Sequence, residues 1–265
     1  MKLHHGLYIY GAAMMVFLVG PILAIVPISF SGSGFLSYPI SDLTLRWYAR
    51  ALQPVPWLTA LKNSLIVASG TTVLATVLGT LAALGLTQSA SRARSALLAF
   101  IVSPMIVPSV VSGVGMFFLF ARMGLNASYA GLILAHTVLG TPFVVVTVAA
   151  TLQNFDRNLL RAASSLGASP VVAFFTVTLP IISSGVIAGA LFAFVISLDE
   201  IIVALFIGGP AHRTLPRQMF DGIRDNIDPS ILAMSTLLIL ATVALVLALA
   251  FISRVQSRLR STVQE

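Results

Sequence analysis

NFDRNLLRAASSLGASPVVAFFTVTLP, residues Asn154 to Pro180, lies between two long apolar runs and carries its own punctuation. Asp156 suits the N-cap of a short helix, because its carboxylate accepts a backbone N–H that the first turn leaves without a partner. Leu159, Ala163 and Leu166 then recur at i, i+4 and i+7 and give that helix one apolar face. Gly167 stands where the helix must stop, in a left-handed conformation that glycine adopts cheaply. Ser169 and Pro170 form an N-cap followed by a first-turn proline, which starts a second helix. Small Ala162 and Ala163 permit close approach of another surface. Leu179 and Pro180 lead into the next apolar run, where the missing proline N–H is least costly or kinks the chain. The expectation is a projecting knuckle of two helices joined by a sharp bend.

The chain around this knuckle is built for lipid. Of its 265 residues 58% are hydrophobic and only 9% charged, with a mean hydropathy of +1.01. Soluble domains carry about 25% charged residues, and a soluble globule of this length has too little interior to hide so much apolar surface. Crossing a bilayer takes about 20 mostly apolar residues in a helix, since each backbone N–H and C=O must be satisfied within the segment. Six runs meet that demand, at about 7–29, 62–86, 96–120, 130–152, 181–207 and 230–252. A transmembrane β-barrel would show shorter, alternating segments. The predicted fold class is an all-α polytopic membrane protein with six transmembrane helices in a single transmembrane domain, 1–265. The first run is longer than the roughly 7–15 apolar residues of a signal peptide and has no small-x-small cleavage site before Pro27, so it reads as a retained helix.

Several functions are excluded by what the chain lacks. It has no cysteine, and His4, His5, His136 and His212 are never paired with a carboxylate at ligand spacing, so no metal or other cofactor is expected. The net charge of +7 is spread over loops without an aromatic-interleaved basic domain, which argues against nucleic acid. A phosphate-cradling GxxxxGK[ST] loop needs a lysine, and Lys62 is flanked by Leu61 and Asn63 while Lys2 stands near the start. With no GxSxG elbow either, the chain is not expected to be an enzyme.

Basic residues divide almost evenly between the two membrane faces. Two details favour both termini inside: TQSASRARS (Thr87 to Ser95) carries two arginines and no acid, and Arg254, Arg258 and Arg260 crowd the tail. On the other face, DLTLRWYARALQ (Asp42 to Gln53) suits an amphipathic interfacial helix with Trp47 and Tyr48 at headgroup depth, or else a packing element. Asp199 and Glu200 are the acids inside a predicted span. A carboxylate in lipid costs at least roughly 2.5 kcal/mol, so intramembrane acids face a cavity or a partner. Both are candidate substrate-pathway residues, attracting a cation; the alternative is that they cap helix ends or pair with Arg213 or Arg217. Gly185 and Gly189 form a GxxxG that points to close helix packing. Pro104, Pro108, Gly113 and Gly115 loosen the third run, as a hinge or a tolerated kink. His136 reads as a hydrogen-bonded packing residue. The stretch from Gly208 to Ser230 is a docking loop for an external protein or a solvated connector that restarts the sixth helix at Asp228 and Pro229.

RAASSLGASP, followed after a short interval by TLP, resembles the EAA loop of binding-protein-dependent ABC transporter permeases, whose pattern is roughly EAA, a glycine, and an apolar-Leu-Pro ending. KNSLIVASGTTVLATVLGTLAALGL (Lys62 to Leu86), SPMIVPSVVSGVGMFFLF (Ser103 to Phe120), LILAHTVLGTPFVV (Leu132 to Val145) and SLDEIIVALFIGGPAHRTLPRQMFDGIR (Ser197 to Arg224) look like the spermidine/putrescine-type branch of that family. The resemblance implies a type I importer permease (MetI-like) fold in a bacterial inner membrane. It further implies that the knuckle docks as a coupling helix into a groove on a cytoplasmic ATPase, through Arg157, Arg161, Ala162, Ala163, Leu166, Gly167, Pro170, Leu179 and Pro180. The implied partners are a second permease, a different homologous chain; two ATPase subunits, which hold ATP and magnesium; an extracytoplasmic substrate-binding protein; and the lipid bilayer. The implied cargo is a polyamine, with an opine, an amino-acid derivative or an aminophosphonate as alternatives. An ion-coupled secondary transporter is the competing class, and the internal repeat it would favour is not visible. Arg161 stands where the family has its glutamate, which changes the charge that the docking partner would meet.

Overall fold

The computed structural model describes residues 2–34, 38–40, 42–88, 93–153, 155–225, 229–244 and 247. Its described elements are helices, joined by turns and one isolated bridge between Ser31 and Leu43. In chain order they are α1 (Lys2–Ile28), α2 (Arg46–Ala51), α3 (Thr59–Gln88), α4 (Arg94–Val102), α5 (Ser109–Met123), α6 (Tyr129–Gln153), α7 (Asn158–Ser165), α8 (Pro170–Ala173), α9 (Leu179–Asp199), α10 (Ile202–Ile207), α11 (Leu215–Asp225) and α12 (Ser230–Ala244). The chain forms two compact units, Thr59–Phe220 and the pair Met1–Leu58 with Asp221–Glu265.

Within the first unit α3, α6 and α9 each pack against the other two. Two apolar clusters hold them. Val67, Leu132, Ala135, Leu139 and Val203 form one with Phe120 of α5. Ala75, Val144, Val145, Val148, Ile182 and Ala193 form the other. Close approach depends on small residues, because in lipid the attraction between helices comes from packing rather than from the exclusion of water. A Cβ at Gly189 would stand 2.6 Å from Thr147 Oγ1 and 2.9 Å from Val144 Cα, and one at Gly185 would stand 2.6 Å from Thr151 Oγ1. The GxxxG on α9 is thus the seam against α6. His136 joins the same seam, its Nδ1 lying 2.8 Å from Ser197 Oγ on α9.

In the other unit α1 exposes its apolar side chains on every side, including Tyr8, Met15, Phe17 and Leu18. The interfacial helix expected over Asp42 to Gln53 is only six residues long, and Trp47 is buried rather than turned outward. Its Nε1 donates to Ser31 O at 2.8 Å, and Tyr48 shares a 2.5 Å hydrogen bond with Ser29. Packing is the role these aromatics have. Trp57 donates to Ser230 Oγ at 3.0 Å, which ties the start of α12 to the end of the 2–58 segment.

Among the described residues four helices are long and apolar enough to cross a membrane, at 6–28, 54–87, 129–153 and 170–199. The count becomes five if α4 and α5 are taken as one broken span. That pair corrects the single third helix expected at 96–120: the axes bend by 100° across residues 103–108. Pro104 and Pro108 cannot donate backbone hydrogen bonds, so the ladder lacks two donors in five residues; Ser103 stays helical (φ −53°, ψ −34°), and the chain leaves the helix at Pro108 (φ −54°, ψ 133°). The run at 181–207 is also broken. Helix α9 ends at Asp199, Glu200 is extended (φ −75°, ψ 118°), and α10 starts afresh. Of the sixth run, α12 covers the first fifteen residues; the rest of 230–252, apart from Leu247, lies outside the described residues, as do Asp228, Arg92 and the arginines of the tail.

Candidate functional site

The knuckle takes the shape its capping residues dictate. Asp156 Oδ1 accepts from Asn158 N at 2.9 Å and starts α7. At the other end Gly167 N donates to Ser164 O at 3.0 Å and Ala168 N to Ala163 O at 3.0 Å, with Gly167 at φ +81°. This paired closure of a helix end around a left-handed residue satisfies carbonyls that would otherwise have no donor. Ser169 Oγ accepts from Val172 N at 3.4 Å, and Pro170 opens the next helix. The second helix is not a free-standing piece, however. Residues 170–199 run as one helical stretch, with a wider π-type turn over Phe174–Thr178 just before Leu179 and Pro180. Pro180 cannot donate to Thr176 O four residues back and its ring crowds that carbonyl; a widened turn relieves both without ending the helix.

What projects at the bend is apolar. Leu166 is 90% exposed, and Val171 and Phe175 are exposed beside the same turn. Ala162 is exposed and Ala163 half-buried on α7, as is Leu160, while Arg161 points outward and reaches Asn158 Oδ1 at 3.4 Å. Arg157 differs from the other residues of the loop: its Nη2 donates to Thr87 O at 2.7 Å and so fastens the knuckle to the end of α3. Val171 and Phe175 were not singled out from the sequence, although their i, i+4 spacing beyond Pro170 is the signal that would have found them.

At the opposite end of α9 the two acids part company. Glu200 Oε1 accepts from Val203 N at 2.8 Å and caps α10, so this carboxylate serves the helix break. Asp199 is exposed. Beyond α10 the chain is held tightly. Asn63 Nδ2 donates to Ala211 O at 3.0 Å and Arg213 O at 2.9 Å, while its Oδ1 accepts from Tyr129 OH at 2.6 Å. Leu215 N donates to Ser64 Oγ at 2.7 Å, and Arg217 Nη1 donates to Ala204 O at 3.1 Å and to Gly208 O. The stretch expected as a loop therefore contains a clamped turn followed by α11. Asn63 gave no sign of this in the sequence, because its partners are 148 and 150 residues away.

Several helices of lipid-crossing length, with an apolar-tipped loop between two of them, make this a helical membrane protein. The chain belongs to the family described as binding-protein-dependent transport system inner membrane component, whose pattern matches residues 75–261, and it is the permease subunit of an ABC importer. It is 34% identical over 230 residues to the putrescine transport system permease protein PotI of Escherichia coli K12, across 84% of this chain and 82% of that one. To the spermidine/putrescine transport system permease protein PotC of the same strain it is 29% identical over 242 residues, or 91% of each chain. Its fold is similar to that of a chain in the crystal structure of a bacterial ABC transporter that imports the acidic polysaccharide alginate, with a TM-score of 0.76 at 13% identity, covering 94% of this chain and 95% of that one. A second chain, from an alginate transporter bound to its pentasaccharide-loaded periplasmic protein, matches with a TM-score of 0.66 at 18% identity over 94% and 91%.

Proposed function

We propose that this permease forms half of a translocation pathway for a polyamine or a related small amine, driven by separate ATPase subunits that engage the 154–180 knuckle. The observation that carries the coupling role is Leu166, 90% exposed beside a bend closed by Gly167. Water gives no reason to hold an apolar tip rigid, whereas a groove on a partner does. A rigid helix in a groove passes domain closure into movement of the bundle. Ala162, Ala163, Val171 and Phe175 complete the contact, and Arg161 meets a partner surface that is acidic or solvated rather than one built for a glutamate. ATP and magnesium stay on the ATPase.

The cargo reading rests on the likeness to PotI and PotC over most of the chain. Asp199, exposed at the end of α9, then supplies a carboxylate to an entering cation, with the knuckle and both termini on the cytoplasmic side of an inner membrane. In this arrangement the chain crosses six times as one domain, pairs with a second, homologous permease, and receives substrate from an extracytoplasmic binding protein at the clamped 208–215 turn.

Reconstitution with the cognate ATPase and binding protein tests the proposal. Leu166→Glu is expected to abolish substrate-stimulated ATP hydrolysis while the permease stays folded, and Arg161→Glu to change it measurably. Wild-type hydrolysis in both variants would remove the coupling role, and uptake driven by a proton or sodium gradient without the ATPase would replace the proposal with a secondary transporter.

A further inference from the structure

At the knuckle end of the bundle, the last turns of α3 and α6 and the start of α7 enclose a groove of about 530 Å³. Leu84, Thr87, Gln153 and Leu160 line it, and two guanidiniums, Arg94 and Arg157, stand on it. None of its described lining residues is acidic. Arg157 is committed in part to Thr87 O, whereas Arg94, the first residue of α4, is exposed and has no hydrogen-bond partner among the described residues. Two cations at one groove, with no carboxylate among its described lining residues, attract an anion. The planar fork of arginine matches the paired oxygens of a phosphate better than it matches chloride or a single carbonyl.

The surroundings select the source of that phosphate. Leu97 and Leu98 follow Arg94 by three and four residues, so they lie on the same face of α4 one turn further along, and both are exposed, as is Phe100. The groove also lies at the ends of two helices of lipid-crossing length, where headgroups lie. A phosphate at Arg94 with hydrocarbon running over Leu97 and Leu98 has the outline of one phospholipid. We propose that this groove binds the headgroup of a single anionic phospholipid, its phosphate on Arg94 and Arg157 and its acyl chains along α4. The groove shares Arg157 and Leu160 with the knuckle but not its apolar tip, since neither Leu166 nor Phe175 lines it.

The full chain, purified in detergent and delipidated, is titrated with phosphatidylglycerol or with phosphatidylcholine of the same acyl composition and observed by native mass spectrometry. One phosphatidylglycerol is expected to be retained in preference to phosphatidylcholine. One basic contact near a membrane surface is worth about 1 kcal/mol, so Arg94→Gln is expected to weaken retention about fivefold, with Arg94→Lys recovering most of it. Arg94→Gln is the primary variant because no described partner is lost with it, and Arg157→Gln, which also frees Thr87 O, is checked for folding by thermal unfolding. Equal retention of the two lipids, or unchanged retention in Arg94→Gln, overturns the proposal. Displacement of the bound lipid by low millimolar inorganic phosphate overturns the lipid assignment and identifies a site for a free anion.

Discussion

Single atoms decide the most at two glycines. A methyl group at Gly189 would press on the backbone of α6, 2.9 Å from Val144 Cα, and backbone cannot move aside as the end of a side chain can. Gly189→Ala is therefore expected to destabilise the first unit by about 1–3 kcal/mol, seen as earlier thermal unfolding in detergent. Gly85→Ala is the control. It meets nothing within 4 Å and lies inside α3, so it should leave stability unchanged or raise it by up to about 1 kcal/mol. Gly167 acts through conformation instead of space. Nothing lies within 4 Å of its missing Cβ, yet its φ is +81°, and an L side chain there costs about 1–2 kcal/mol. Gly167→Ala should lower coupled ATP hydrolysis and bring thermal unfolding of the permease somewhat earlier while circular dichroism shows its helices kept; wild-type coupling would mean that the bend tolerates reshaping.

Among the elements, the breaks carry more information than the helices. The α4–α5 bend, the stop at Glu200 and the turn from Gly208 to Leu215 each replace a stretch of regular helix with side-chain bonds or prolines. Asn63 shows how such a break is held, with one amide satisfying two carbonyls and a tyrosine hydroxyl. A hydrogen bond of this kind contributes about 1 kcal/mol net, and three depend on this one side chain. Asn63→Ala should accelerate amide hydrogen exchange over 208–215 at least tenfold and leave the middle of α6 protected. Equal exchange would show that Ser64 and Arg217 hold the turn without it.

At the scale of the whole molecule, the knuckle and Asp199 mark opposite ends of one continuous helical stretch, 170–199. Thirty residues at about 1.5 Å each span roughly 45 Å, enough to carry a displacement at the knuckle to the far end of α9. If the proposed polyamine is the cargo, Asp199→Asn in the assembled complex is expected to slow its uptake several-fold, whereas Glu200→Gln should disturb the start of α10 first, because Glu200 Oε1 accepts from Val203 N. Uptake by Asp199→Asn at the wild-type rate in an intact complex would remove Asp199 from the pathway.

The membrane class, the long helices at 6–28, 54–87 and 129–153 and the closure of the knuckle were legible in the sequence. Each depends on residues within a turn or two of one another: lipid-length apolar stretches, a serine before a proline, a glycine after an amphipathic helix. The places where the expectation failed have a common cause as well. Pro104 and Pro108 announced weakness in the third run, but the size of the bend depends on what α5 packs against, notably Phe120 with α6 and α10. Glu200 read from the sequence either as a pathway acid or as a cap of a helix end; only the folded chain chooses the cap, at the start of α10. Asn63, the groove at Arg94 and the seam of Gly189 against Val144 join residues far apart in the chain. Short-range chemistry determined where the helices and caps form, and tertiary packing alone decided which of those residues meet.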